Sequence, residues 1–167
     1  PWAGHKGKAD YNGSLSDAFV SIEKEVRNFR DQGKTTVVLV GHSMGTAGAL
    51  AYAKHKGGID GVIGVAPGHF PGSDSFHKDF VFFDVKKAKQ MVEEGKATKS
   101  LKVEDYNSGS RRFKMTVVAE DYLSMFDPEG PMSVDDNLKG LGETPFLWVA
   151  PTHDPVTSKR SSKYFGM

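Results

Sequence analysis

The sequence predicts an α/β fold, in which helices cover both faces of a mostly parallel β-sheet. Two apolar, strand-like runs, residues 35–40 and 59–66, flank an alanine-rich helical segment, residues 46–56. A strand, a helix and a second strand in this order form a βαβ unit, whose strands run parallel and whose crossover is right-handed. A later run, residues 145–150 (PFLWVA), predicts a further buried strand.

A helix is predicted before this unit. Ser14 can cap it, and Asp17 faces the positive end of its dipole three residues later. Gly33 is typical of a helix C-terminus. Between these signals the apolar residues recur at helical spacing: Phe19, Ile22, Val26 and Phe29. We therefore expect an amphipathic helix that packs on the sheet.

The middle of the chain breaks the strand–helix rhythm. The elements predicted there are a helix at 80–94, two extended pieces within 101–118 around the turn Asn107-Ser108-Gly109, a helix at 119–126 and a short helix at 133–141. The 167 residues suffice for one domain with a sizeable core. We interpret residues 1–167 as a single domain, here incomplete, and residues 71–132 as a lid-like or cap-like excursion within it.

Composition argues against several classes of partner. The 22 basic and 21 acidic residues leave a net charge of +1, so no overall field favours nucleic acid or an anionic membrane. We interpret the basic clusters at 86–89 and 111–114 as solvated faces. No apolar run is long enough to span a bilayer. Because cysteine and the usual histidine spacings are absent from the sequence, we predict no metal, and no cofactor is implied.

A serine between two glycines, Gly41-His42-Ser43-Met44-Gly45, stands where the first strand passes into a helix. A serine hydroxyl needs a base, and donors for the oxyanion that forms after its attack. A sharp strand-to-helix turn projects the hydroxyl and places the unpaired N–H groups of the helix N-terminus beside the reacting carbonyl. The pattern is the nucleophile elbow, in which the crowded turn requires Gly41 and Gly45, and the Met44 N–H is one oxyanion donor.

Two other interpretations of these letters are weaker. A glycine-rich turn with a spectator serine would give the same pattern, but the flanking strand and helix favour the elbow. A phosphate-binding loop lacks its lysine here and has the wrong spacing.

The elbow resembles that of the α/β-hydrolase superfamily, and further pieces resemble a group of little-characterised bacterial members. The matching pieces are ADYNGSLSDAF, GHSMG, GVIGVAPGHFPG and TPFLWVAPTHDP, which together span nearly the whole chain. The resemblance implies an α/β-hydrolase fold in which nucleophile, acid and histidine follow in that order along the chain.

The resemblance also implies that Asp154, just past the last predicted strand, is the acid that orients the histidine. A turn aspartate before Pro155 would give the same Asp-Pro pair. Three alternative acids follow the preceding strand: Asp74, Asp79 and Asp84.

The expected base is missing, because no histidine follows Asp154. His42 belongs to the elbow and His69 follows the carboxyl end of a parallel strand, so both are candidates for lining the site. The second oxyanion donor, expected upstream of the elbow, is missing too. We therefore expect this chain to be an internal part of a longer hydrolase, inactive alone, with its histidine beyond Met167.

An internal part would also expose a sheet edge. In the family's strand order, a strand from the N-terminal part lies beside the strand that leads into the elbow. Without that neighbour, residues 37–40 would present an unpaired apolar edge, which favours self-association.

The expected function is that of a serine hydrolase of the esterase or lipase type. Ser43 would form an acyl-enzyme with a small-molecule or acyl ester, and water would release the acid. A non-catalytic binding protein with the same fold is one alternative. An acyltransferase or thioesterase that uses the same nucleophile is another.

Overall fold

The computed structural model describes residues 13–73, 81–105, 113–151 and 153, and the fold is given for these. The helices are α1 (Leu15–Asp31), α2 (Met44–His55), α3 (Phe82–Glu93), α4 (Ala119–Phe126) and α5 (Val134–Lys139). The strands are β1 (Val38–His42), β2 (Gly61–Val65), β3 (Ser100–Asp105), β4 (Phe113–Val118) and β5 (Phe146–Val149). None of the helices in this part of the chain has the length and apolar character needed to cross a membrane.

The chain divides into two compact units. The first takes its described residues from Pro1–Glu23 and Pro71–Ser133, and the second takes its described residues from Lys24–Phe70 and Val134–Met167. Helix α1 is shared between them, with the division after Glu23. The single-domain organisation and the lid-like role of residues 71–132 stay predictions.

The second unit contains a parallel sheet in the order β1-β2-β5. Strand β2 is central, and the row Val40, Ile63 and Leu147 is in register across the three strands. Helix α2 packs on β1 and β2, and α5 packs on α2. The predicted α/β class with a parallel sheet and flanking helices is confirmed.

Helix α2 lies close to the sheet because small residues face each other. A Cβ at Gly64 in β2 would lie 2.5 Å from the Thr46 methyl group and 3.1 Å from the Phe146 ring. Since real Cβ atoms do not approach so closely, only glycine fits at position 64. Residues 46–53 of this helix are all buried, and most of them are small.

The first strand differs from its prediction in position and burial. It runs from Val38 to His42 rather than over residues 35–40. Gly41 faces α2, so the alternation of a strand turns Val38 and Val40 to the opposite face, where they are 42% and 67% exposed. The apolar run at 35–40 is typical of a strand buried on both faces, and this expectation is wrong for β1. The described residues pair β1 with β2 alone.

The first unit contains an antiparallel pair, β3 and β4, with α3 and α4 packed beside it. The two predicted extended pieces are confirmed by this ladder, whereas the predicted turn at 107–109 lies outside the described residues. The Tyr122 and Phe126 rings stack within α4, with centroids 4.4 Å apart.

The predicted start of the first helix is confirmed. The Ser14 N–H donates to the Asp17 carboxylate at 2.8 Å, and the Asp17 N–H donates to the Ser14 hydroxyl at 3.2 Å. This reciprocal pair lowers the pKa of Asp17, because the hydrogen bonds from Ser14 favour the charged carboxylate. Phe19 and Val26 are buried as predicted, but Phe29 is 45% exposed.

An ionic cluster joins the end of α1 to the starts of β1 and β2 within the second unit. The Asp60 carboxylate accepts the Val37 N–H at 2.7 Å and an Arg30 N–H at 2.6 Å. Arg30 also donates to the carbonyl oxygens of Thr35 and Gly58. The hydrogen bond from Val37, followed by that from Arg30, lowers the pKa of Asp60. The cluster therefore fixes where both strands begin.

We expect Asp60→Asn to lower the thermal midpoint at neutral pH. A carboxylate whose pKa is lowered on folding stabilises the native state above its unfolded pKa of about 3.9, and this stabilisation is lost as the pH falls further. The difference in midpoint between parent and variant should therefore shrink below about pH 4. Thermal denaturation from pH 7 to pH 2.5 measures it. The exposed Glu143→Gln is the control, and a difference that stays constant over this range would contradict the assignment.

Candidate active site

Ser43 lies between β1 and α2 in a strained backbone conformation. Its φ is 52° and its ψ is −120°, a combination that costs a non-glycine residue about 1–3 kcal/mol. Among the described residues, only one other non-glycine residue has a positive φ, namely Ala66 at 44°. The Ser43 side chain is half-buried. The backbone therefore makes a sharp corner at the carboxyl end of a parallel strand, as the sequence predicts.

Backbone hydrogen bonds hold this corner from both sides. The Ser43 N–H donates to the Val65 carbonyl at 2.9 Å, which continues the ladder between β1 and β2 by one residue. The Thr46 N–H donates to the Ser43 carbonyl at 3.1 Å. Ser43 is thus tied to the sheet through its nitrogen and to the helix through its oxygen.

The two elbow glycines have different reasons to be glycine. A Cβ at Gly41 would lie 2.3 Å from the Gly45 carbonyl oxygen and 2.6 Å from the Thr46 Cα. At Gly45, by contrast, a Cβ would meet no described atom within 4 Å beyond its neighbours and its own helical turn. The crowding expected around both glycines is therefore found at Gly41 and not at Gly45.

The Ser43 hydroxyl is not used to cap the helix that follows it. Ser43 is the N-cap residue of α2, yet its side chain makes no capping hydrogen bond. In the described part of the chain, no carbonyl accepts a hydrogen bond from the N–H groups of Met44 or Gly45. These N–H groups lie at the positive end of the α2 dipole, a position that favours negative charge.

The loop after β2 reaches the Ser43 hydroxyl. A Cβ at Gly68 would lie only 2.9 Å from the Ser43 Oγ. Ala66, two residues earlier, has the second strained backbone and donates its N–H to Val149 at 2.9 Å. Glycine at position 68 thus leaves space beside the hydroxyl. The sequence alone did not single out Gly68, although the Pro67-Gly68 pair just past a parallel strand is a signal for it.

The histidines predicted to line the site differ in burial. His69 is 6% exposed and lies one residue after Gly68, in the loop that approaches the Ser43 hydroxyl. His42 is the last residue of β1 and is exposed, on the face opposite Gly41. His55 lies at the far end of α2 from Ser43, where burial and the neighbouring Lys54 lower its pKa.

The predicted acids are only partly described. Three of them lie outside the described residues: Asp154, Asp74 and Asp79. His153, which precedes Asp154 in the sequence, is exposed. Asp84 belongs to α3 in the first unit and accepts the Glu104 N–H at 3.1 Å. Burial raises the pKa of Asp84, against the effect of this hydrogen bond. No cluster of metal-ligating side chains occurs among the residues that the structure describes.

The fold and this corner define an α/β protein with a strained serine at the carboxyl end of a parallel strand. No protein-family model matches the chain. No curated protein matches it. A solved structure similar to it is the crystal structure of Paleococcus ferrophilus monoacylglycerol lipase, with a TM-score of 0.47 and 21% identity. The match covers 97% of this chain and 64% of that one, so the chain spans less than two thirds of the lipase chain.

We expect Gly41→Ala and Gly45→Ala to differ in stability although both add one methyl group. Gly41→Ala forces a Cβ into backbone atoms and should reduce the free energy of unfolding by about 2–3 kcal/mol or more. Gly45→Ala should leave it unchanged or raise it by up to about 1 kcal/mol, because alanine favours the helix. Urea denaturation measures both. Equal losses in the two variants would contradict the packing described at Gly41.

Proposed function

We propose that this chain is the nucleophile-bearing part of a serine hydrolase that cleaves carboxylic esters, with Ser43 as the nucleophile. The observation that supports the proposal most directly is the strained Ser43 backbone, whose side chain makes no capping hydrogen bond to the helix. Strain of this kind persists only where the surrounding structure enforces it, and it concentrates at functional sites.

The proposed reaction begins when the Ser43 Oγ attacks the ester carbonyl carbon and a base takes its proton. The Met44 N–H, helped by the α2 dipole, holds the oxyanion of the tetrahedral intermediate. The intermediate collapses to an acyl-enzyme, and the leaving alcohol receives the proton from the base. Water then attacks the acyl-enzyme by the same route, which releases the carboxylic acid and restores the serine.

The base in this proposal is a histidine oriented by Asp154. In the described part of the chain, no side chain hydrogen-bonds to the Ser43 hydroxyl. The proposal therefore requires an imidazole from outside the described residues. Without a base, only the contribution of the oxyanion donors and of binding would remain.

Ester hydrolysis, thioester hydrolysis and acyl transfer could all use the nucleophile at this corner. A thioesterase would use the same nucleophile with a thiol leaving group, and an acyltransferase would replace water with an alcohol. A binding protein with this fold would keep the corner and lose the reaction. Covalent labelling separates this last case from the first three, and release of acid from an ester separates hydrolysis from transfer.

A fluorophosphonate should label the intact protein at Ser43. Mass spectrometry of the digested adduct locates the modified residue, and Ser43→Ala should abolish labelling. Ser21→Ala is the matched control, because this exposed serine only donates to the Asp17 carbonyl. Release of p-nitrophenol from esters of graded chain length then identifies the acyl preference. A folded protein that is not labelled at Ser43 would refute the proposal in favour of a binding protein.

Gly68→Ala should slow labelling and ester cleavage without unfolding the protein. The added Cβ would lie 2.9 Å from the Ser43 Oγ, so it would displace the hydroxyl or block the approach of the substrate. We expect a loss of tenfold or more, since a displacement of about 1 Å at a reacting group can cost about a hundredfold in rate. Gly61→Ala is the control, because its Cβ would meet only ordinary contacts from 3.5 Å outward. Equal labelling rates for both variants would contradict this role.

A further inference from the structure

We infer that Thr46 is the positioning residue that holds Ser43 in its strained conformation. The inference rests on the proposed function and adds to it a residue that would act through Ser43 rather than on the substrate. Thr46 is fully buried, with no exposed surface, in the first turn of α2. A buried hydroxyl in this place needs a partner, and that partner is part of the elbow.

The Thr46 hydroxyl bonds to the backbone on the far side of the corner. It donates to the Gly41 carbonyl oxygen at 2.8 Å, within the buried interior. The acceptor lies five residues earlier, whereas a helical threonine normally bonds a carbonyl three or four residues earlier in its own helix. The hydrogen bond therefore connects helix α2 to strand β1 across Ser43.

The backbone of Thr46 holds the near side of the same corner. Its N–H donates to the Ser43 carbonyl at 3.1 Å. One residue thus binds the oxygen of Gly41 through its side chain and the oxygen of Ser43 through its main chain. These two contacts fix the start of the helix against the end of the strand, and His42 lies between the two accepting residues.

The methyl group of Thr46 packs in the space beside Gly64, on the other branch of the side chain from the hydroxyl. The position that a Cβ on Gly64 would occupy lies 2.5 Å from the Thr46 Cγ2, so the methyl group fills the space that this glycine leaves. A β-branched side chain has few χ1 rotamers, and this contact removes the others. The hydroxyl is therefore aimed at Gly41 by packing as well as by its own hydrogen bond.

Removing the Thr46 hydroxyl alone should allow the backbone at Ser43 to relax. In Thr46→Val the shape is kept, but the Gly41 carbonyl loses this donor in a buried setting. The strained Ser43 can then relax, which moves both its Oγ and the Met44 N–H. In Thr46→Ser the hydroxyl is kept and the methyl group is lost, so this variant should restore the function that the valine variant loses.

The test compares three variants of the intact protein: Thr46→Val, Thr46→Ser and Val62→Ala. Val62 is buried in β2 and has no role in the proposed reaction, so its truncation reports the effect of lost stability. The readouts are the rate of fluorophosphonate labelling, kcat and KM for a p-nitrophenyl ester, the thermal midpoint, and the backbone amide NMR shifts of Ser43 and Met44.

We expect Thr46→Val to lower the labelling rate and kcat by tenfold or more with KM nearly unchanged, and to move both amide shifts. Thr46→Ser should stay within about threefold of the parent, and Val62→Ala should lose stability but not rate. Parent-like labelling and amide shifts in Thr46→Val would overturn the inference. So would rate losses that follow the thermal midpoint in all three variants, because Thr46 would then be merely structural.

Failure of the proposed function would look different. If the parent itself is not labelled, the amide shifts still decide whether Thr46 holds the Ser43 backbone. Shifts that move in Thr46→Val and not in Thr46→Ser would support its positioning role in a protein without the reaction. Shifts that are the same in both variants would refute that role. If Thr46→Val does not fold, Thr46→Ser decides. Loss of labelling in Thr46→Ser, while Val62→Ala is still labelled, would overturn the inference.

Discussion

The close contact between the N-terminus of helix α2 and the sheet is the constraint on which the candidate site depends. Two glycines permit it. A Cβ at Gly41 would clash with the backbone of Gly45 and Thr46, and a Cβ at Gly64 would clash with the Thr46 methyl group and crowd the Phe146 ring. No other residue fits at either position. The helix consequently begins within one residue of the strand's end, and Ser43 must turn the chain in a single step.

The hydrogen bonds of the parallel sheet help to stabilise the strained conformation that this turn requires. Ser43 and Ala66 each follow the end of a strand, and each donates its N–H to the neighbouring strand or its end, to Val65 and Val149 respectively. Both residues make these bonds while they hold a positive φ. The cost of about 1–3 kcal/mol at each residue is offset in part by this bond, which contributes about 0.5–1.5 kcal/mol. Both corners lie at the carboxyl edge of the sheet, where parallel sheets place their ligands.

The sequence was sufficient to predict this corner because its causes are local. Gly41, the apolar strand before it and the alanine-rich helix after it act over a few residues, as does the pair of Ser14 and Asp17 at the start of α1. Longer-range causes were not visible. The open space at Gly45, the exposure of Val40 and the approach of Gly68 to the Ser43 hydroxyl depend on which elements lie opposite one another in space.

The backbone conformation of Ser43 links the two properties of the corner that the proposed chemistry uses. A serine at an N-cap ordinarily has an extended backbone, and its side-chain oxygen accepts a hydrogen bond from an N–H group of the first helical turn. At Ser43 a φ of 52° and a ψ of −120° accompany a side chain that makes no such bond, so the N–H groups of Met44 and Gly45 are not taken up by it. In the proposed reaction, this one conformation leaves the hydroxyl to act as the nucleophile and the amides to bind the oxyanion. A relaxed serine here would satisfy the helix and lose both, which is why the strain and the proposed chemistry cannot be separated.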